Sequence, residues 1–118
     1  MHQLATVLTL FVAALHIYFL VLEMFLWDRP TGRRIFRTTP EFATASKALA
    51  ANQGLYNGFL AAGLAWSVIL GTAGIAARIF FLICVVLAGL YGGYTVSRRI
   101  ALVQSLPAAL ALTATYLS

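Results

Sequence analysis

Charge is what this sequence has least of. Only 9% of its 118 residues are charged, and only three of those, Glu23, Asp28 and Glu41, are acidic. Soluble domains carry about a quarter charged residues, so a chain of this kind does not describe a solvated globule. Cysteine is nearly absent: Cys84 stands alone inside an apolar run, which excludes an intrachain disulfide and a multi-cysteine metal site. With two histidines, His2 and His16, there is no zinc-spaced set, and no metal site is indicated. A phosphate-binding glycine loop ahead of a lysine and a nucleophile elbow are likewise missing, so the familiar soluble-enzyme signatures do not apply. The three prolines, Pro30, Pro40 and Pro107, are sparse enough to leave long stretches free for uninterrupted helix.

Apolar residues make up 62% of the chain, and the mean hydropathy is +0.92. A transmembrane helix takes about 20 residues, so four spans with short connections nearly exhaust the length. The pattern predicts an all-α integral membrane protein, a four-transmembrane-helix bundle in a single domain, with spans near residues 4–27, 49–70, 76–96 and 100–117. The apolar run from Leu4 to Trp27 lacks a basic start and exceeds the apolar stretch of a cleaved signal, so it is expected to remain as a span. Thr39-Pro40-Glu41 has the form of a helix start, placing the beginning of the second helix ahead of its membrane-buried part. Gly71-Thr72-Ala73-Gly74 forms a tight turn, Arg78 is positioned to snorkel beyond it, and Pro107 predicts a kink in the last helix.

The net charge of +5 would suit nucleic acid, but its distribution argues otherwise. Arg29, Arg33, Arg34, Arg37 and Lys47 fall in the basic loop 28–48, and Arg98 and Arg99 in the third connection, leaving Arg78 alone near the second. The positive-inside rule then puts those two connections in the cytoplasm and both termini outside, and it makes membrane lipids the partners in place of nucleic acid.

A few polar residues interrupt the apolar spans. Thr9, His16 and Glu23 recur every seven residues, two helical turns apart, and so share one face of the first helix. An ionisable group in hydrocarbon costs several kcal/mol, so it is expected to face the interior and to have partners. The segment NQGLYNG brings Asn52, Gln53, Tyr56 and Asn57 close together on the second helix, with Gln53 and Asn57 on a common face. An antiparallel hairpin would set Glu23 beside Asn52 and Gln53, and His16 beside Asn57. Tyr91, Tyr94 and Gln104 are further candidates to line the same polar pocket, open to the cytoplasm. Gly54 with Gly58, and Gly89 with Gly93, form small-xxx-small pairs suited to close helix packing within the chain or, alternatively, to a homo-oligomer.

The segments HIYFLVLEMFLW and NQGLYNGF, on the first two spans with basic residues between them, resemble a family of small bacterial membrane proteins catalogued as a domain of unknown function. The resemblance extends over essentially the whole chain and implies a place in the bacterial inner membrane; it carries over no activity and leaves the cofactor unknown. In length and in its first-helix carboxylate the chain is also similar to small multidrug resistance transporters, from which it departs in its single fixed orientation. Three kinds of function fit these residues. A pocket that binds or moves a hydrophobic or amphipathic small molecule, or a proton, comes first. A membrane enzyme in which His16 and Glu23 act as acid and base on a lipid-like substrate is second, and an accessory subunit without chemistry is third.

Overall fold

The computed structural model describes residues 1–118, and every regular element in it is helical. In order these are α1 (His2–Met24), a short α2 (Pro30–Phe36), α3 (Pro40–Ile69), a 3₁₀ turn (Gly71–Gly74), α4 (Ile75–Thr95) and a C-terminal helix (Arg98–Leu117). Three of them are long and apolar enough to cross a membrane: His2–Met24, Gly71–Thr95 with its leading turn, and Arg98–Leu117. The expected count of four apolar spans is therefore corrected to three on this measure. At 30 residues α3 has ample length, but Asn52, Gln53 and Asn57 lie in its middle and dilute its apolar character.

Local chemistry accounts for the boundaries. Neither glycine nor proline interrupts α1, yet it ends at Met24 rather than Trp27. The chain turns there because α2 doubles back: a Cβ on buried Gly32 would overlap the Leu26 carbonyl. Arg29, the residue before Pro30, is extended (φ −93°, ψ 162°), as the proline ring requires. Arg37 closes α2 in the left-handed region at φ 57°, with its N–H on the Arg33 carbonyl. The span expected as a basic loop thus contains a helix. At the start of α3 the Thr39 hydroxyl accepts the Phe42 N–H at 3.1 Å, and Glu41 sits in the first turn.

By their contacts the residues fall into two units, Met1–Ala14 with Leu60–Ser118, and Leu15–Phe59. The core of the first unit is built from Val12, Ala13, Ala61, Leu64, Leu82, Val85, Ala108 and Ala111. Its helices approach where side chains are small. A Cβ on Gly89 would meet the Ser105 side chain and the Ser105 amide, and one on Gly93 would lie 2.6 Å from Ala101 Cβ. Over Ala101–Ser105 the C-terminal helix widens to a π turn, with the Leu106 N–H reaching back to the Ala101 carbonyl. Pro107 brings no N–H to the ladder, so the anticipated kink takes the form of a widened turn just before it. The Ser105 hydroxyl donates to the Val86 carbonyl at 2.8 Å, securing the turn to α4.

In the second unit α1 and α3 pack through glycine. A Cβ on Gly54 would lie 2.7 Å from Met24 Cγ, and one on Gly58 2.7 Å from Leu20 Cδ1. Near the end of α1 the Trp27 indole N–H donates to Ser46 Oγ at 3.0 Å, and its ring lies 4.8 Å from that of Phe36. Beside core residues such as Leu64 and Leu82, several alanines are buried, while many large apolar side chains are exposed. Ala5, Ala43, Ala61, Ala108 and Ala111 are at most 2% accessible, whereas Phe11, Phe59, Trp66, Phe80 and Leu87 are each more than half exposed.

Candidate functional site

The most distinctive polar arrangement lies in the unit Leu15–Phe59. Glu23, near the end of α1, is only 4% exposed. Gln53 Nε2 donates to its Oε2 at 2.8 Å, and Asn57 Nδ2 donates to its Oε1. The four-residue spacing of Gln53 and Asn57 sets both carboxamides on one face of α3, one helical turn apart, so that each oxygen of a single carboxyl group receives its own donor. Gly54, between them in sequence, makes this reach feasible: a Cβ there would lie 3.1 Å from Glu23 Cβ and 3.3 Å from the Leu20 carbonyl. A carboxyl group bracketed in this way is held in orientation by one donor on each oxygen while about half of its four acceptor sites stay open, an arrangement suited to gaining or losing a proton or to meeting a polar ligand.

His16 is fully buried on the same face of α1, with its ring edge-on to Phe19 at 5.2 Å. The heptad stripe expected from the sequence is buried throughout, with Thr9 at 0% exposure donating to the Ala5 carbonyl at 2.7 Å. Glu23 meets Gln53 as expected, and Asn57, anticipated beside His16, also donates to Glu23. The reason is helical geometry, since Gln53 and Asn57 stack on one face and a carboxyl group has two oxygens to engage both.

The remaining candidates occupy other positions. Asn52 is exposed, and Tyr56 is 57% exposed on α3. Tyr91 and Tyr94 are 71% and 91% exposed on α4, and Gln104 is half-buried in the π turn. Outside the apolar segments, Lys47 Nζ lies 3.2 Å from Asp28 Oδ2, and this contact holds the Asp28 carboxyl below its ordinary value.

Arg78 is the residue whose place the sequence misjudged. Expected to snorkel, it is 1% exposed on the inner face of α4. A signal was present, because Arg78 falls in register with Leu82, Val85 and Gly89, the other buried residues of that helix.

These features define a class: a small all-helical protein with several long apolar helices and a buried carboxyl group held by carboxamides. The family model described as "Protein of unknown function (DUF1304)" matches residues 10–116, and the chain belongs to that family. It is also similar to "Uncharacterized protein YpaA" of Lactococcus lactis subsp. lactis (strain IL1403), at 33% identity over 115 residues, covering 96% of this chain and 97% of that protein. No solved structure matches.

Proposed function

We propose that this is an integral membrane protein of the bacterial inner membrane in which α1, α3, α4 and the C-terminal helix all span the bilayer. Its Glu23 cluster then forms a polar site that binds or moves a small molecule or a proton. The burial pattern supports the membrane setting, since many large apolar side chains, Phe11, Phe59, Trp66, Phe80 and Leu87 among them, lie outside, as suits a chain solvated by lipid. For helix α3 to span, its carboxamides need partners, and Gln53 and Asn57 each give one N–H to Glu23. Arg29, Arg33, Arg34, Arg37, Lys47, Arg98 and Arg99 orient the protein with those segments in the cytoplasm and both termini outside. His16 completes the proposed site from α1, and Asn52 and Tyr56 on α3 are its proposed outer lining.

The observation that carries the functional reading is the buried Glu23 carboxyl bracketed by Gln53 and Asn57. Ionisable groups inside apolar segments are costly, and they mark binding or conduction paths. The test is proton flux into liposomes loaded with a pH-sensitive dye, paired with native mass spectrometry of the extracted protein. Wild-type protein is expected to pass protons or to retain a non-lipid small molecule, and Glu23→Gln to lose that property while remaining folded. A wild-type protein that does neither, or a Glu23→Gln variant that matches wild type in both, refutes the reading.

A further inference from the structure

A second buried ionisable group lies in the other unit, and its chemistry is the opposite of Glu23's. Arg78 is 1% exposed, yet its Nε and Nη1 are buried with no hydrogen-bond partner in the protein. A guanidinium offers five N–H donors in a planar fork and stays charged in proteins. Leaving such donors unmet in an apolar interior costs more than almost any other polar burial.

The protein has little of its own with which to answer that charge. Its three acidic side chains are Glu23, Asp28 and Glu41, and none of them is a hydrogen-bond partner of Arg78 Nε or Nη1. Glu23 is engaged by Gln53 and Asn57, and Asp28 by Lys47. Within Arg78's own unit the buried hydroxyls are committed as donors to backbone carbonyls: Thr9 to Ala5, Ser67 to Leu64, Ser105 to Val86 and Thr115 to Ala111. They add polarity but no negative charge.

We propose that Arg78 is the anchor of an anion site that takes an oxyanion of the phosphate type, supplied by an anionic phospholipid headgroup or by free phosphate. Arg78 lies four residues beyond Gly74, about 6 Å along the helix from the end of the Gly71–Gly74 turn, so the charge is within reach of that boundary. The planar fork matches two phosphate oxygens at once, which lysine's single ammonium does not. This site is separate from the Glu23 cluster in residues and in ligand charge; only its lipid source depends on the membrane setting.

The test uses the full chain in dodecyl maltoside micelles, which hold no phosphate, with selectively 15N-labelled arginine. One arm adds dioleoylphosphatidylglycerol to the micelles, and the other adds sodium phosphate to micelles free of phospholipid. The expected result is a shift of the Arg78 Nε–H resonance in at least one arm, with that resonance assigned by its loss in Arg78→Lys. The arm that responds names the source. In that arm, binding followed by native mass spectrometry or by titration should weaken roughly tenfold or more in Arg78→Met, as expected for lost charge-assisted bonds, and less in Arg78→Lys. Loss of an exposed cation in Arg98→Gln should weaken binding by less than Arg78→Met does. An unmoved resonance in both arms overturns the proposal, as does undiminished binding by Arg78→Met or an equal loss in Arg98→Gln. Should Arg78→Met fail to fold, the wild-type resonance alone decides.

Discussion

Leaving buried His16 aside, the two units of this protein each bury one side chain that is charged in neutral water, Glu23 in one and Arg78 in the other, and they treat it in opposite ways. In Leu15–Phe59 the Glu23 carboxyl receives a donor on each oxygen from α3. In the unit containing Leu60–Ser118 the Arg78 guanidinium keeps Nε and Nη1 without partners. Burial by itself therefore says little about what a polar group contributes. A satisfied group holds two helices in one register, whereas an unsatisfied one burdens the fold until something answers it.

The largest effect should come from backbone proximity. Gly32→Ala would press a methyl group into the Leu26 carbonyl, which no rotamer change can relieve, and should lower stability by about 3 kcal/mol or more. Gly71 in the other unit has φ +62°, but a methyl group there would meet nothing within 4 Å, so Gly71→Ala should cost only about 1–2 kcal/mol of conformational strain. Thermal unfolding midpoints in detergent would rank the two, and a Gly71→Ala loss matching that of Gly32→Ala would break the distinction.

Next are the ionisable groups themselves, where the sign should reverse between units. Glu23→Ala strands two carboxamides and should destabilise by about 1–3 kcal/mol, and Glu23→Gln by less, because an amide oxygen still accepts. Arg78→Met removes a buried unmet charge and, in phosphate-free buffer without anionic lipid, should leave stability unchanged or raise it by about 1–3 kcal/mol. Chemical denaturation of the three variants side by side checks this. Destabilisation by both Glu23→Ala and Arg78→Met would erase the contrast.

A smaller change is expected at the π turn. Ser105→Ala loses the bond to the Val86 carbonyl and should cost about 1 kcal/mol, with faster amide exchange confined to the neighbourhood of Ala101–Ser105.

The smallest effect belongs to the Asp28–Lys47 pair, where solvent screens the attraction. Because contact with Lys47 lowers the Asp28 carboxyl's folded value, the pair's contribution is complete above the ordinary aspartate value and is lost as pH falls through the lowered one. In Lys47→Gln the Asp28 carboxyl, followed by 13C NMR, should titrate closer to its ordinary range.

Much of this architecture is legible in residue order. The proline, the hydroxyl before it and the acid after it predict where α3 starts, because helix capping is decided within one turn of chain. The spacing of Gln53 and Asn57 puts two carboxamides on one face before any partner is known. Other features depend on distant chain. Periodicity places Arg78 in line with Leu82, Val85 and Gly89, but the residue's position near a turn equally permits snorkelling, and the packing of the helix decides between them. The α2 helix is invisible to hydropathy because it is short, basic and held by the approach of Gly32 to Leu26.

By itself, then, the sequence determined the helical class, the long apolar segments and the faces on which polar residues recur, since these follow from backbone hydrogen bonding and a 3.6-residue period acting over neighbouring residues. Only the tertiary structure decided that Asn57 joins Gln53 on Glu23, that the proline kink becomes a π turn fastened by Ser105, and that Arg78 is enclosed. Each of these depends on which side chain of another helix arrives within about 3 Å, and that is set by how closely glycine and alanine let the helices approach rather than by the local pattern of either one.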